Sequence, residues 1–354
     1  VRREPLLHNP SNPITTGLWR ERTDAGTRIR KRLSGRATPT HPDWSASDDP
    51  GAWNGWRREA LVYQDGLQDL YAPEGLRGPR VHAVEWSADG DVELVLEDVT
   101  GTSGASFGRE ALLDVAHRLG RAQGRLALTP VDRPYWSRGF LRDHVASKHV
   151  RPELLADDSA WDHPLIRATW PAALRPAVAW LHAAREGLLA LAEAAPRTIG
   201  HLDLWGRNLV AAGDGLVLLD WATAGDAALG EDLSNLLLEA ALDELLPADE
   251  VEALAAPCLA AYTEGARAAG WGGDPRWVTV GFGAAAVKWC WLAPLHLERA
   301  RTGVHHRYGG ATDAGPEAQY RARGRALGAA VAQAVEAVAL ARALGVDPAV
   351  PPVP

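Results

Sequence analysis

His201-Leu-Asp203-Leu-Trp-Gly-Arg-Asn208 is followed, across a turn at Gly213-Asp-Gly215, by the apolar run Leu216-Val-Leu-Leu and then Asp220-Trp221. The pattern predicts a short strand ending at His201, a loop, and a hairpin of residues 208–212 and 216–219. Such a unit brings two carboxylates and a carboxamide together from one short stretch of chain. Phosphoryl transfer from a nucleotide needs those groups. One carboxylate orients the attacking hydroxyl and accepts its proton, while an amide oxygen and a second carboxylate hold Mg²⁺ against the phosphates. Asp203 is read as the catalytic base, Asn208 and Asp220 as metal ligands, and His201 as a brace that hydrogen-bonds rather than reacts. Asp, Asn and Gly also favour ordinary turns; the ordered spacing and the intervening hairpin favour the chemical reading.

Working outward, residues 14–22 and 27–33 read as two strands joined at Asp24-Ala-Gly26, and Val81–Trp86 and Val92–Leu96 as an antiparallel pair. Between them, Trp56, Ala60, Tyr63 and Leu67 recur at helical spacing over Trp53–Leu67. Beyond Gly101 the chain turns helical, with Ala- and Leu-rich periodic stretches at 109–128, 172–194, 229–245, 248–268, 275–300 and 317–344. The expected fold is α+β: a protein-kinase-like two-lobe fold with a small β-rich N-lobe over 1–100, a hinge near 97–101, and a large mainly α-helical C-lobe over 102–354 carrying the catalytic loop at 199–221. The Pro-rich end at 351–354 is expected to fray.

The stretch His201, Asp203, Asn208 with Leu219-Asp220-Trp221 resembles the aminoglycoside phosphotransferase/choline kinase family. Gly230-Glu-Asp232-Leu-Ser looks like that family's Gly-x-x-x-Asp-Leu segment, slightly contracted, and Leu94-Val-Leu-Glu-Asp98-Val99 resembles its strand into the hinge. The resemblance implies an ATP- and Mg-dependent kinase whose hinge backbone, around Glu97 and Val99, pairs with adenine. A strand lysine that contacts phosphate, held by a helix glutamate, completes such a site. By position these are Lys31 and Glu59. Ile29, Lys31 and Leu33 share one strand face, which places Ile29 near adenine and leaves Arg28, Arg30 and Arg32 facing water. Asn12-Pro-Ile-Thr-Thr-Gly17 departs from a Gly-rich phosphate loop, since it has one glycine; Thr15 and Thr16 are its candidate phosphate contacts. Protein kinases place a peptide platform after Phe-Gly. Here Trp221 follows Asp220 and a helix begins near Leu229, so a small-molecule acceptor is expected.

Charge bears on the acceptor. The chain carries net −8, yet its first 40 residues hold nine basic against three acidic side chains. No Lys or Arg occurs between Arg207 and Arg267, an interval with twelve Asp or Glu. This balance argues against a nucleic-acid partner and suits a cationic acceptor. Asp226, Glu231 and Asp232, with Trp289, Trp291 and Glu298, are candidates to line its site, the tryptophan faces suiting sugars or cations. Twelve acids without a base also fit solvated helix faces. No apolar run approaches a membrane span, the N-terminus lacks a secretory pattern, and Cys258 and Cys290 lack metal or redox spacing, so a cytoplasmic protein is expected. His305-His306 reads as a surface pair. The acceptor stays open among an aminoglycoside or amino sugar, a neutral sugar, an amino alcohol and a biosynthetic intermediate, with a non-catalytic nucleotide-binding module as the further alternative. Oligomeric state is not legible.

Overall fold

The computed structural model describes residues 2–6, 8–9, 12–24, 26–36, 45–304 and 315–353. His305 and His306 lie outside the described residues. The N-terminal part holds β1 (Arg2–Pro5), β2 (Thr15–Thr23), β3 (Gly26–Leu33), β4 (Leu76–Arg77), β5 (Val81–Trp86) and β6 (Val92–Glu97). Five of these form an antiparallel sheet in the order β1-β2-β3-β6-β5. Its inner face is built by alternate residues of β3 and β6, with Leu33, Leu94 and Leu96 buried.

The outer face differs from expectation. Arg28, Arg30 and Arg32 do not simply face water. Glu21 takes ion pairs from Arg3, Arg28 and Arg30 at 2.7–2.9 Å, Arg32 pairs with Asp91 at 2.9 Å, and Arg30 also meets Glu93. Adjacent β-strands set cross-strand acids opposite bases on the same face, so the basic run is largely neutralised by its neighbours.

Helix α1 spans Arg58–Gln64, shorter than the periodicity predicts. The cause is Arg58 itself. Its buried guanidinium donates to the carbonyls of Trp53, Tyr135 and Ala222 at 2.6–3.0 Å, and to Pro50 and Ala52. The bonds to Pro50, Ala52 and Trp53 hold residues 50–57 in turns around the guanidinium, ahead of the helix.

The remainder carries β7 (Thr102–Ser103), β8 (Arg197–Gly200), β9 (Leu209–Ala212), β10 (Gly215–Leu218) and β11 (Gly225–Ala228) among helices. The helices are α2 (Arg109–Leu128), α3 (Phe140–Ala146), α4 (Asp158–Trp161), α5 (Pro164–Thr169), α6 (Leu174–Ala183) and α7 (Arg185–Ala194). After the hairpin come α8 (Glu231–Leu242), α9 (Ala248–Ala268), α10 (Arg276–Ala284), α11 (Leu292–Thr302) and α12 (Pro316–Ala343). Two predicted helices are each broken, at Ala184 and by a 3₁₀ turn over Ala285–Trp289. Strand β11, not foreseen, pairs with β8 and anchors the base of the loop 201–208.

A second sheet, β4-β10-β9-β7, stitches the two parts together because Leu76 and Arg77 pair parallel with the hairpin strand β10. The pair α2 and α9 crosses closely: a Cβ on Gly120 would lie 2.0 Å from the Tyr262 carbonyl, and one on Gly265 would lie 2.1 Å from that of His117. Only glycine allows that approach. The C-terminal Pro351 is held, since its carbonyl accepts from Trp180 Nε1 at 3.0 Å. Against the sequence expectation, two helical stretches, Arg276–Thr302 and Pro316–Ala343, are long and apolar enough to cross a membrane by length and composition. The first is broken by the 3₁₀ turn, carries the buried Lys288, and is mostly enclosed within the fold.

Candidate active site

The loop 201–208 and the start of Asp220 meet β3 and α1 at one place. Lys31 Nζ lies 2.8 Å from Glu59 Oε2 and 3.1 Å from Asp220 Oδ1. Burial works against the Lys31 charge, but the carboxylates of Asp220 and Glu59 hold its pKa above the ordinary lysine value. Burial likewise opposes the Asp220 charge, and attraction to Lys31 keeps that carboxyl below its usual range. A buried ammonium costs several kcal/mol unless paired; here Glu59 of α1 and Asp220 of the distant hairpin end both pair it.

Asn208 Nδ2 donates to both the backbone oxygen and Oδ2 of Asp203, at 2.9 and 3.0 Å. That leaves Oδ1 as the acceptor end of the amide. Burial pushes the Asp203 carboxyl up to about 8, Glu239 adds to the rise and Lys288 opposes it. His201 Nε2 lies 2.9 Å from the carbonyl of Leu219, so the ring ties the loop to the strand that ends at Asp220. Burial holds His201 below its ordinary pKa, which suits a neutral brace.

Two backbone positions in this unit are left-handed without being glycine: Leu202 at φ 66° and Asp220 at φ 60°. That conformation costs a leucine about 1–2 kcal/mol. Asp232 offsets it, accepting from the N–H of His201 and of Leu202 at 2.7 Å each, and bonds to a charged group contribute about 1.5–3 kcal/mol apiece.

The remaining predicted residues divide. Thr15 is buried at the start of β2, beside an irregularity between Thr15 and Gly17; the Thr16 hydroxyl donates to the Arg32 carbonyl at 3.4 Å. Ile29 is half-buried on β3 opposite Leu96. Glu97 has its N–H committed to the Arg80 carbonyl at 2.9 Å and its carboxylate to Arg77 at 2.8 and 3.0 Å; Val99 is half-buried in the segment that follows.

Most of the acceptor residues expected from sequence have partners within the fold. Both oxygens of Asp232 are taken by the N–H groups of His201 and Leu202, and Gln123 donates to Oδ2 as well. Glu231, buried at the start of α8, accepts from the Ala228 N–H at the end of β11. Asp226 is matched by Arg197 at 3.0 Å. Trp289 is buried beneath Lys288, whose Nζ sits 4.9 Å from its ring, and Trp291 is approached by Lys148 at 5.3 Å. Glu298 is half-buried on α11. None of the six makes a described hydrogen bond to Asp203.

Besides Asp220, two carboxylates that sequence reasoning passed over interact with Asp203 by charge. Glu239 raises the Asp203 pKa, and Asp203 in turn raises that of Asp243; burial is the main cause of the rise to about 7 at Glu239 and about 6 at Asp243. Spaced four apart on α8 and its end, they share one face. That i, i+4 acidic spacing, two turns beyond Asp232, was the available signal. Lys288 lies 3.7 Å from Glu239. Among the described residues no cluster of three His, Cys, Asp or Glu is arranged for a metal, and both cysteines are free and buried.

A family profile described as "APH: Phosphotransferase enzyme family" matches residues 36–272, more than half of the chain. The chain belongs to the phosphotransferase enzyme family. The activity class is therefore ATP-dependent phosphoryl transfer to a hydroxyl of a small molecule. No curated protein matches this phosphotransferase by sequence. Among solved structures it is similar to the amicoumacin kinase hAmiN, with 13% identity, 91% of this chain and 86% of that chain covered, and a TM-score of 0.53. It is also similar to choline kinase LicA from Streptococcus pneumoniae (16% identity, 93% and 94% covered, TM-score 0.49). Aminoglycoside phosphotransferase APH(3'')-Id from Streptomyces rimosus matches at 21% identity, 83% and 92% covered, TM-score 0.41. The first likeness bears out the protein-kinase-like α+β fold.

Proposed function

We propose that this phosphotransferase moves the γ-phosphoryl group of ATP to a hydroxyl of a cationic small molecule of the aminoglycoside or amino-sugar type. The observation that carries the reading is the charge interaction of Asp203 with Glu239 and Asp243, two carboxylates of α8 and its end that take no part in bonding the loop's backbone, Glu239 having Lys288 3.7 Å away. An ammonium-bearing acceptor satisfies that charge better than a neutral one.

In this reading Asp203 orients the acceptor hydroxyl and takes its proton as the bond to phosphorus forms, and its raised pKa suits it to hold that proton. Lys31, fixed by Glu59, faces the nucleotide phosphates, with Thr15 and Thr16 near them. Ile29 and the segment from Glu97 to Val99 border adenine, and residues 97–101 serve as the hinge between the lobes. Asn208 Oδ1 and the 40%-exposed Asp220 side chain supply hard oxygen donors that fit Mg²⁺. Held there, Mg²⁺ would supply neutralisation of the phosphate charge. The similar amicoumacin kinase was solved with AMP-PNP and Ca²⁺, which supports a nucleotide and a divalent cation here. A cytoplasmic location is part of this reading, because ATP is an intracellular substrate.

The test is an ATP-consumption screen across aminoglycosides, amino sugars, neutral sugars and amino alcohols, with Asp203→Ala as control. Turnover confined to amine-bearing acceptors is the expected result. Turnover of neutral sugars alone would replace the acceptor class, and nucleotide binding without turnover on any acceptor would favour a non-catalytic module.

A further inference from the structure

Leu202 joins the brace His201 to Asp203, and its backbone is gripped from both sides. Its N–H donates to Asp232 Oδ1 at 2.7 Å. Its carbonyl accepts from Asn235 Nδ2 at 3.1 Å. Asn235 Oδ1 in turn accepts from Lys288 Nζ at 3.1 Å. The Leu202 side chain packs with Trp53, Phe140 and Ala227 in a small cluster apart from the main core.

The two grips act on different peptide planes. Asp232 fixes the plane between His201 and Leu202. Asn235 fixes the plane between Leu202 and Asp203, and so sets the direction in which the Asp203 side chain leaves the backbone. A left-handed leucine persists only where its surroundings over-determine it. An asparagine amide presents a donor end and an acceptor end, and a lysine ammonium only donates. Lys288 therefore selects the amide orientation that points Nδ2 at the Leu202 carbonyl.

The setting of Lys288 is costly. It is 4% exposed, lies 5.5 Å from the Phe140 ring and 4.9 Å from the Trp289 ring, and has Glu239 as its charged partner at 3.7 Å. Replacing a buried charged group by an apolar one of similar volume is often neutral or stabilising.

We propose that Lys288 and Asn235 form a positioning relay that holds the Leu202–Asp203 peptide in the orientation required for phosphoryl transfer. The proposal rests on the reading of Asp203 as the catalytic carboxylate. Asn235 is a positioning residue, since it acts through the Leu202 carbonyl; Lys288 acts through Asn235 and also by its charge on Asp203, so Asn235→Leu, which leaves that charge in place, isolates the positioning effect.

The experiment compares Lys288→Met, Lys288→Arg and Asn235→Leu in the wild-type and Leu202→Gly backgrounds. It reads kcat, KM for ATP, Tm, and hydrogen exchange of the segment 199–208. Lys288→Met and Asn235→Leu are expected to lower kcat by about tenfold or more, to leave KM for ATP within about threefold, and to speed exchange at Leu202 and Asp203. Lys288→Arg, still a donor-only cation, is expected to retain most of the turnover. Glycine adopts the left-handed conformation freely, so the loss caused by Asn235→Leu is expected to shrink in the Leu202→Gly background. Folded Lys288→Met and Asn235→Leu proteins with unchanged kcat and unchanged exchange would overturn the relay, as would losses fully additive with Leu202→Gly. If the wild type turns over no acceptor, the functional reading fails, and the exchange data alone then decide the relay.

Discussion

Lys31 Nζ donates to Asp220 Oδ1 at 3.1 Å across 189 residues of sequence. With Glu59 at 2.8 Å on its other side, the ammonium joins β3, α1 and the end of the catalytic hairpin. A group so placed has little freedom to reorganise, which is what electrostatic stabilisation of a charged transition state requires.

Lys31→Met is expected to lower kcat/KM for ATP on the order of 10²-fold, the range seen when one preorganised donor is removed. Glu59→Gln should give a smaller loss in the same parameter, because it loosens Lys31 without removing its charge. Steady-state kinetics at varied ATP check both.

Chelation of divalent cations is expected to abolish turnover, with Mg²⁺ restoring it. Asp220→Asn should remain inactive at any Mg²⁺ concentration. Asn208→Ala should raise the Mg²⁺ concentration needed for half-maximal rate, and should also loosen Asp203, whose carboxylate it holds at 3.0 Å. A metal titration of each variant separates the two effects.

Glu239→Gln and Asp243→Asn are expected to raise KM for an amine-bearing acceptor by about 10-fold or more, the equivalent of one charge-assisted hydrogen bond, with KM for ATP little changed. Parallel titrations of acceptor and nucleotide read the split. An equal rise in both would remove the pair from the acceptor side.

Much of this was legible in the sequence, and the limit has a physical cause. The segment 201–221 and the strands around Lys31 follow from local rules: periodicity, turn chemistry and the spacing of oxygen donors. Helices α2 and α9 fall at the predicted residues for the same reason. What escaped was set by contacts between distant segments. Arg58 gathers the turns of residues 50–57 about its guanidinium while also binding the distant carbonyls of Tyr135 and Ala222, so α1 begins only at Arg58. Asp232 and Glu231 read as acceptor ligands until their oxygens are seen to be committed to backbone N–H groups. Arg30 reads as solvated until Glu21, on the neighbouring strand, lies against it. A count of acids along a helix does not say which of them the fold has already used.

Glu21 offers a test of the N-terminal sheet that does not involve activity. Burial would raise its pKa, but hydrogen bonds from Arg28, Arg30 and Arg3 hold it at about 2, against an ordinary 4.5. A depressed carboxyl stabilises the fold fully above its unfolded value and loses that contribution as pH falls through the folded value. Glu21→Gln is therefore expected to be less stable than wild type at neutral pH. The gap should close between about pH 4.5 and about pH 2. Urea unfolding across that range measures it; a gap independent of pH would assign the effect to packing.

The most direct measurement is single-turnover phosphoryl transfer from ATP to an amine-bearing acceptor, comparing wild type with Asp203→Asn at matched nucleotide occupancy. The expected result is a phosphate ester on the acceptor hydroxyl, with the rate lower in the variant by on the order of 10²-fold or more and ATP affinity unchanged. A variant that transfers phosphate at close to the wild-type rate would contradict the role given to Asp203.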